Sequence, residues 1–441
     1  MNTPAGTGIR LAEDLDVLSR EEIERLRQHN FARMLDAARR TPAVLRRWPR
    51  LTSLQDLDRL PELPPLTSAE LAEGRPPHSL EFLLGGDGPG MVIRSSGTSR
   101  TPKVLYHSWE FNEQVSALGA RGVRAGSRTP MRRVANCLLA AELNGAFLFA
   151  QEVIRLSSAR AFPIGSTMGT ENTAQVLAEH EVDTLIASPG FGVDVLTGVP
   201  APQLAALRTF RYIGEGLGTE REKAVATALP DLDVRSLAYS TTETGCIGYQ
   251  CAHQHGTAHH VHEDAVVVEV VDEETGAPLP EGEAGEVLVT PLSDTGMALF
   301  RYRIGDRGRL TSQPCACGSQ ARVLTLLGRA AQSLTVDSET FSTDHMMARL
   351  AELGITDPAD CQLQVLWEGN RYHVRLLLAP HTPPGLTTST VAAAFAGGLE
   401  IHQVVTGPRC AGFTVERTDL SRFARTDRGK VPTLYERFAR T

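Results

Sequence analysis

The sequence has no stretch of about twenty apolar residues, the length that a membrane-spanning helix requires. It has no basic excess either, since 44 Lys and Arg against 52 Asp and Glu give a formal net charge of −8. A negative total argues against nucleic acid or an anionic membrane as main partner, although glycine loops and helix ends can still bind phosphate locally. Residues 1–16 lack the basic stretch and apolar run of a secretory signal. These absences predict a cytoplasmic protein without a nucleic-acid or membrane partner.

Cysteine is scarce, and its seven copies are an odd number, spread thinly except for Cys315 and Cys317. In a reducing compartment this distribution disfavours a disulfide framework. The closely spaced pair indicates a metal site or catalysis instead.

The 441 residues, 41% of them hydrophobic, suffice for two or three domains with a sizeable core. Helical spacing of apolar residues predicts a helical segment over 17–48. Between 173 and 239, short apolar runs such as Val182 to Ala187 alternate with helical stretches such as Glu220 to Ala228. This alternation predicts βαβ units and a mostly parallel sheet. From about residue 264, the runs 266–271 and 285–289 predict antiparallel strands.

The pattern changes again near Gly328. Beyond it, 362–366 and 372–376 flank Glu368-Gly369-Asn370 and predict a hairpin, with helical stretches near 344–353 and 390–399. We therefore predict an α/β protein with a large N-terminal domain, residues 1–327, of mostly parallel sheets flanked by helices. It includes a β-rich subdomain at about 250–325, and a small mobile α+β domain, residues 328–441, follows it.

The strongest local signal is Arg94-Ser95-Ser96-Gly97-Thr98-Ser99-Arg100-Thr101-Pro102-Lys103, which follows the apolar Met91-Val92-Ile93. A glycine with several hydroxyls and a lysine gives a loop whose backbone N–H groups and side chains can surround a phosphate. It is not a P-loop, because Gly-Lys-Ser/Thr is missing. Taken alone, the segment is equally compatible with a solvated surface loop.

Three further motifs follow in order: Tyr239-Ser240-Thr241-Thr242-Glu243, Tyr302-Arg303-Ile304-Gly305-Asp306 and Asp427-Arg428-Gly429-Lys430-Val431-Pro432. Each has a plain alternative as a core aromatic, a turn residue or a solvated lysine. As an ordered set with the glycine loop, they resemble the adenylate-forming superfamily of acyl-CoA ligases, and within it the phenylacetate–CoA ligase branch. The chain is similar there to aryl-acid-adenylating enzymes of antibiotic pathways, such as those of phenazine biosynthesis.

The resemblance implies ATP and Mg²⁺ as cofactors and assigns the nucleotide contacts. The residues implied to grip the β- and γ-phosphates are Ser95, Ser96, Gly97, Thr98 and Lys103. Gly214-Glu215-Gly216 corresponds to the segment that lines the adenine, with Tyr239 to stack on it. Asp306 corresponds to the carboxylate that accepts both ribose hydroxyls.

The resemblance also implies the residues of the chemical step. Thr242 and Glu243 correspond to the phosphate and Mg²⁺ contacts, and Mg²⁺ prefers such oxygen ligands. Lys430 corresponds to the mobile lysine that bridges the acyl carboxylate and the α-phosphate. Mg²⁺ and Lys430 would neutralise charge at the α-phosphorus as pyrophosphate leaves. The expected reaction is adenylation of a carboxylic acid, which we expect to be aromatic. The acyl group is then expected to be transferred to an amine, a carrier-protein thiol or another thiol.

The domain junction departs from the family pattern. Gly328-Arg329 is followed by Ala330-Ala331-Gln332 instead of an Asp or Lys hinge, and the usual glycine-bearing loop reads Thr335-Val336-Asp337-Ser338-Glu339-Thr340. In the family, that loop serves the second half-reaction after the small domain rotates. We expect adenylation to survive this departure, while thioester formation with coenzyme A is put in question.

A second set of residues suits Zn²⁺, because three thiolates and one imidazole close a structural tetrahedron. The segment His260-Val261-His262-Glu263-Asp264 is similar to a stretch of the phenylacetate–CoA ligase branch, where a Cys/His set pins the β-rich subdomain with zinc. The resemblance implies the ligands Cys251, His260, Cys315 and Cys317. The neighbouring histidines at 253, 255, 259 and 262 are expected to be solvated, with His259 as the alternative to His260 among the ligands. The alternative is an exposed His-rich loop beside two free thiols.

The sequence gives only a weak indication of the acyl pocket. Segments 142–147 and 188–192 match regions that usually line it, so we predict the pocket residues Glu142, Asn144, Phe147 and Phe191. The two phenylalanines would pack an aromatic ring, and the two polar residues leave room for an amino or hydroxyl substituent.

Two other functions remain open at this point. One is an ATP-dependent ligase that activates a non-carboxylate, such as nitrite in diazo formation. The other is a nucleotide-binding regulator that has lost catalysis, against which the retention of Glu243 and Lys430 argues.

Overall fold

The structure is a computed structural model that describes residues 9–74, 76–77, 79–84, 86, 88–94, 104–140, 143–312, 314–329, 333–337, 339–424 and 431–438. Several predicted residues therefore lie outside the described part: Ser95, Ser96, Gly97, Thr98, Lys103, Glu142, the hinge 330–332 and Lys430. The described helices are α1 (Arg20–Arg39), α2 (Pro42–Arg47), α3 (Ser68–Glu73), α4 (Trp109–Gly126), α5 (Ala146–Leu156), α6 (Thr170–Glu179), α7 (Pro189–Thr197), α8 (Thr219–Ala228), α9 (Thr343–Ala351), α10 (Thr388–Phe395) and α11 (Leu399–Thr406). Short 3₁₀ turns lie at Pro49–Thr52, Leu57–Glu62, Ala201–Leu204, Pro358–Asp360 and Leu420–Arg422.

The predicted helical segment over 17–48 is two helices. Ser19 begins α1 with a capping box to Glu22, and the helix ends at Arg39. The break falls at Pro42, which has no backbone N–H to continue the α1 ladder and instead occupies the first position of α2.

The described strands are β1 (Leu83–Leu84), β2 (Gly90–Arg94), β3 (Val104–Ser108), β4 (Arg133–Asn136), β5 (Arg160–Pro163), β6 (Thr184–Ala187), β7 (Thr209–Tyr212), β8 (Asp233–Ser236), β9 (Tyr239–Thr241), β10 (Gly245–Tyr249), β11 (Ala258–Val261), β12 (Val266–Val271), β13 (Ala284–Pro291), β14 (Gly296–Met297), β15 (Tyr302–Thr311), β16 (Val323–Arg329), β17 (Ser333–Val336), β18 (Glu339–Ser342), β19 (Cys361–Glu368), β20 (Arg371–Leu378), β21 (Cys410–Arg417) and β22 (Leu434–Phe438). The pairs β1–β14, β2–β3 and β17–β18 are two-stranded and antiparallel.

Five parallel strands form one sheet in the order β5-β4-β6-β7-β8, and α5 to α8 connect them in sequence. The direction in which strands are added to the sheet reverses between β4 and β6, because β5 lies on one side of β4 and β6 lies on the other. In open parallel sheets a ligand binds at the carboxyl ends of the strands beside such a reversal. The predicted βαβ units are confirmed, and the polar segments after β6, β7 and β8 all emerge at this edge.

The larger sheet is antiparallel, in the order β12-β13-β15-β16-β11-β10-β9. It begins at Tyr239, before the predicted start of the β-rich part, because β8 ends at Ser236 and β9 joins the other sheet. Two ion pairs link the β11–β12 connection to helices: Glu263 with the partly exposed Arg20 of α1 at 2.6 Å, and the buried pair of Asp264 with Arg121 of α4 at 2.6 Å. The α/β class is therefore confirmed, with a substantial antiparallel part.

The C-terminal residues form a four-stranded sheet in the order β21-β20-β19-β22, covered by α9, α10 and α11. The predicted hairpin is β19–β20, with Cys361 opposite Leu378 and Glu368 opposite Arg371. This unit encloses an apolar cluster of its own, which includes Phe341, Val365 and Phe395. The exact domain boundary at residue 328 stays a prediction. Among the described helices, none combines the length and apolarity needed to cross a bilayer.

Candidate active site

A cavity of about 2580 Å³ lies where the parallel sheet, the antiparallel sheet and the C-terminal unit meet. Its walls include Cys137 after β4, Ser188 after β6 and Gly214 after β7, all at the carboxyl edge of the parallel sheet. Ordinary ligand pockets measure roughly 300–1,000 Å³. The cavity therefore has room for several ligands, or parts of ligands, side by side.

The predicted nucleotide segments that the structure describes meet in this cavity. Tyr239 and Asp306 come from β9 and β15, and the tyrosine hydroxyl donates a 2.6 Å hydrogen bond to Asp306 Oδ2. Both residues are buried and both line the cavity. Gly214, at φ 102°, takes a backbone conformation that favours glycine and turns the chain as it leaves β7.

The turn that carries Thr242 and Glu243 joins β9 to β10 and is stabilised by its own hydrogen bonds. The backbone N–H of Thr244 donates to Thr241 Oγ1 at 3.1 Å, and the two threonine hydroxyls lie 2.9 Å apart. The Tyr302 hydroxyl donates to Glu243 Oε1 at 3.2 Å. Thr242 and Glu243 both line the cavity, so the structure brings the predicted phosphate and Mg²⁺ contacts to the Tyr239–Asp306 pair.

A histidine that sequence reasoning missed supports the same turn. His107 Nε2 lies 2.8 Å from the backbone oxygen of Thr242, and its ring meets that of Phe111 edge to face at 4.8 Å. Burial lowers the pKa of His107 to about 4, against the opposing effects of the Thr242 carbonyl, Asn112 and Glu243. The ring is therefore a neutral donor at physiological pH.

The predicted acyl-pocket residues fall in different places. Asn144 and Phe191 line the cavity, whereas Phe147 is not in its wall. On α5 the cavity-facing positions include Leu148, Phe149 and Glu152, and Phe147 lies partly buried against the neighbouring core cluster. The aromatic side chain that this helix gives to the cavity is thus Phe149, because helical phase decides which residue faces inward.

Sequence reasoning also missed the contacts between the C-terminal unit and the large domain. Arg409 pairs with Asp194 of α7 at 3.0 Å and with Asp337 at 2.7 Å. Its guanidinium lies so close to Gly190 that a Cβ at that position would overlap it. Asn370, in the β19–β20 turn, donates to Asp194 Oδ1 at 2.6 Å and to the Gly190 carbonyl at 3.1 Å.

A second group of contacts lies beside the predicted adenine segment. Arg221 of α8 pairs with Glu215 at 2.8 Å, and its guanidinium carbon sits 4.4 Å from the ring centroid of Trp367. The Trp367 indole N–H donates to Glu436 Oε1 at 2.7 Å. Burial raises the pKa of Glu436 from 4.5 to about 7; the indole bond and Arg221 oppose this, while the Glu215 carboxylate adds to it. The C-terminal unit therefore packs Trp367, held by Glu436, against the Arg221 guanidinium of the large domain.

The four predicted metal ligands come together on the far side of the antiparallel sheet. The ligand atoms of Cys251, His260, Cys315 and Cys317 all lie within 4.8 Å of one another. Cys251 Sγ is 3.6 Å from Cys315 Sγ, too far for a disulfide, and Cys317 Sγ is 3.3 Å from His260 Nε2. These separations suit a tetrahedral ion with bonds of about 2.0 to 2.3 Å.

Neighbouring groups orient these ligands. The Ala321 carbonyl lies 3.0 Å from His260 Nδ1, so that Nε2 faces the thiols. The backbone N–H groups of His253 and Ser319 point at the sulfurs of Cys251 and Cys317, at 3.4 and 3.5 Å.

The expectation that the neighbouring histidines are solvated is right for His253 and His255 but wrong for His259 and His262, which are buried. His253 and His255 lie in the exposed connection between β10 and β11, whereas His259 lies on β11 and His262 directly follows it. Within β11, successive side chains point to opposite faces. His260 faces the thiols. His259 faces the cavity and contacts the Ser236 hydroxyl at 3.1 Å, and His262 stacks on Tyr249 beside Arg121.

Comparisons with known proteins show what the chain is similar to. No protein-family profile matches the chain. The chain is similar to a phenylacetate–coenzyme A ligase of Thermus thermophilus, 26% identical over 342 residues, which cover 74% of this chain and 72% of the relative. It is 25% identical over 255 residues to a phenylacetate–coenzyme A ligase of Aromatoleum evansii, and the match spans 56% of each chain, about half of that relative.

Among solved structures, 2-hydroxyisobutyryl-CoA ligase with 2-HIB-AMP and CoA, in the thioesterification state, aligns with a TM-score of 0.75 at 17% identity. The alignment covers 97% of this chain and 91% of that chain. The same enzyme in its postadenylation state gives a TM-score of 0.65. The sequence relatives and the shared fold support an adenylate-forming, phenylacetate–coenzyme A ligase-like protein.

Proposed function

We propose that this protein is an AMP-forming ligase that activates a carboxylic acid with ATP, releases pyrophosphate and passes the acyl group to a thiol. The observation that carries the proposal is the meeting of Tyr239, Asp306 and the Thr242–Glu243 turn in one cavity at the carboxyl edge of the parallel sheet. Both sequence relatives are phenylacetate–coenzyme A ligases, which supports the same class of reaction.

The chain's own residues would act as follows. The carboxylate of Asp306, held by the Tyr239 hydroxyl, accepts hydrogen bonds from the ribose hydroxyls. The Thr242 hydroxyl binds a phosphate oxygen. Glu243, oriented by the Tyr302 hydroxyl, supplies the carboxylate oxygen for Mg²⁺, which when bound neutralises charge on the phosphates. Holding acid and nucleotide together removes much of the entropic part of the barrier.

The acid is proposed to be aromatic. Phe149 and Phe191 reach the cavity from α5 and α7, and apolar side chains such as Leu138 and Ile213 line it as well. Aromatic side chains pack well against a planar ring. Asn144 offers a polar contact for a substituent on that ring.

The acceptor is proposed to be coenzyme A or another thiol. The β17–β18 hairpin brings Thr335, Asp337 and Thr340 into the cavity wall, so the loop without its usual glycine still reaches the site. The better overlay on the thioesterification state than on the postadenylation state of 2-hydroxyisobutyryl-CoA ligase supports a docking of the C-terminal unit suited to this step. The altered hinge, residues 330–332, lies outside the described part of the chain.

A screen of pyrophosphate release tests the proposal. The purified protein is incubated with ATP, Mg²⁺ and single acids from aryl, alkyl and amino-acid panels, with and without coenzyme A. We expect release with an aryl acid, and mass spectrometry should detect AMP and the acyl-CoA. Release with nitrite but with no carboxylic acid would contradict the substrate class, and release with no compound would contradict the activity.

We further propose that Cys251, His260, Cys315 and Cys317 hold one structural zinc ion. The donor set and its spacing support zinc. The ion would tie the loop before β16 to β10 and β11, remote from the chemical step. Since His260 and the cavity-facing His259 occupy adjacent positions on β11, the ion would also stabilise one wall of the cavity.

Cys315→Ser should remove the zinc and lower the midpoint of thermal unfolding, because binding energy at a structural site is also folding energy. We expect about one zinc per wild-type chain by elemental analysis. Cys410→Ser is the matched control, since this cysteine lies in β21 outside the cluster and its loss should leave the zinc content unchanged. Wild-type protein without zinc, or a Cys315→Ser variant with full zinc and unchanged stability, would contradict the assignment.

The docking of the C-terminal unit should depend on pH through Glu436. Its pKa is about 7 when docked beside Glu215, Arg221 and Trp367, and 4.5 is its ordinary value. The docked form therefore binds the proton more tightly, so this contribution is complete below about pH 4.5 and is lost as the pH rises through 7. Trp367 fluorescence should shift to the red with a midpoint near pH 7 as the indole becomes solvated.

Glu436→Gln is the matched variant, because its neutral amide oxygen can still accept the Trp367 N–H bond. This variant should show no transition near pH 7, and Trp367→Phe should remove the signal itself. The same transition in the Glu436→Gln variant would show that another group controls the docking.

A further inference from the structure

His107 connects two parts of the chain that are far apart in sequence. It lies on β3, the second strand of the hairpin whose connection contains the predicted phosphate-binding loop. Its Nε2 reaches the backbone oxygen of Thr242, 135 positions further along the chain, at 2.8 Å. One side chain therefore joins the phosphate-loop hairpin to the turn that holds Thr242 and Glu243.

The ring of His107 is held in place on several sides. Phe111 packs against it edge to face, with an interplanar angle of 87°. Asn112 packs beside the ring with Oδ1 3.4 Å from the unprotonated Nδ1, a contact without a hydrogen bond, and its amide nitrogen donates to the Ser108 carbonyl at 3.2 Å. His107 is buried, with 6% of its surface exposed. A side chain held this firmly can transmit a fixed position to its partner.

The carbonyl oxygen of Thr242 can only accept a hydrogen bond, so Nε2 of His107 must carry a proton and donate it. This bond fixes the peptide plane between Thr242 and Glu243. Tyr302 fixes the Glu243 carboxylate independently, through the 3.2 Å bond to Oε1. With the main chain held by one group and the side chain by another, the carboxylate has little rotational freedom left.

We propose that His107 is a positioning residue, which orients the Thr242–Glu243 turn for binding of the divalent metal–ATP complex. The inference rests on the proposed function, since it assumes that Glu243 binds the metal. His107 itself does not touch the metal or take part in proton transfer. Its loss should weaken metal binding in the presence of nucleotide and slow pyrophosphate release.

Two variants separate the hydrogen bond from the volume of the ring. His107→Phe keeps a ring against Phe111 without the donor, and His107→Gln keeps a donor of similar reach. The probe is Mn²⁺, whose bound fraction is read by electron paramagnetic resonance in the presence of a non-hydrolysable ATP analogue. We expect His107→Phe to raise the Mn²⁺ dissociation constant about tenfold and His107→Gln to stay within about threefold of wild type, as expected for one hydrogen bond near a charged ligand. If His107→Phe does not fold, His107→Asn, whose amide is too short for the carbonyl, replaces it with the same expectation.

The proposal is overturned if a folded variant without the donor binds Mn²⁺ as wild type does, or if His107→Gln loses as much affinity as His107→Phe. A purely structural role would lower the thermal midpoint of both variants and leave the Mn²⁺ affinity alone. Failure of the proposed function is a separate result. In that case wild-type protein would not bind Mn²⁺ together with the analogue, and it would not release pyrophosphate from ATP.

Discussion

Glu243→Gln should lower the rate of pyrophosphate release by roughly 10²- to 10³-fold at saturating ATP and acid, because one charged contact to the reacting phosphates is lost. The amide keeps the shape of the side chain and can still accept the hydrogen bond from Tyr302. It removes the negative charge that a hard cation requires. The loss should therefore appear with little change in thermal stability.

Glu152→Gln is the matched control for this substitution. Glu152 also lines the cavity, but it pairs with Arg155 at 2.7 Å and its side chain is 47% exposed. We expect this variant to keep near wild-type rates of pyrophosphate release. Equal losses in both variants would mean that any change of charge in the cavity is harmful, and a full rate in Glu243→Gln would contradict the role of Glu243.

Lys430→Ala should nearly abolish adenylation and leave ATP binding close to that of wild type. The lysine is implied to act where charge develops in the transition state, and losing such a contact costs about 10²–10³ in rate. The chain has three lysines, Lys103, Lys223 and Lys430, so two of the three lie in motifs that the resemblance assigns to phosphate binding or catalysis. This scarcity weakens the alternative that Lys430 is an ordinary solvated lysine.

The rate of pyrophosphate release and the dissociation constant of ATP, measured separately, test this expectation. Lys223→Ala is the control, since Lys223 lies on an exposed face of α8 and should contribute to neither quantity. If ATP affinity and rate fall by the same factor in Lys430→Ala, the residue contributes to ground-state binding rather than to the transition state.

The elements that could be predicted from the sequence are those whose signal is local. The βαβ units between 173 and 236 follow from the alternation of apolar runs and helical stretches, and the β19–β20 hairpin follows from two runs around Glu368-Gly369-Asn370. The large antiparallel sheet was predicted only in part, because it depends on pairings such as β11 with β16, which are separated by more than sixty residues.

The residues of the site also divide into those with a local signal in the sequence and those without one. Residues within motifs, such as Tyr239, Glu243 and Asp306, were predicted together and do line one cavity. His107, Arg409 and Trp367 carry no local signal, since their importance arises from partners on distant elements. Phe147 was named in place of Phe149 because the composition of the segment does not reveal where α5 begins or which face it turns inward.

The central claim is that the acid forms an acyl-adenylate, and an acid labelled with oxygen-18 in its carboxylate tests it most directly. The protein is incubated with ATP, Mg²⁺, the labelled aryl acid and coenzyme A, and the nucleotide product is analysed by mass spectrometry. Attack of the carboxylate on the α-phosphorus leaves one labelled oxygen on AMP when the acyl group is transferred. The account predicts labelled AMP in amounts equal to the acyl product; unlabelled AMP, or label in inorganic phosphate with ADP as the nucleotide product, would contradict it.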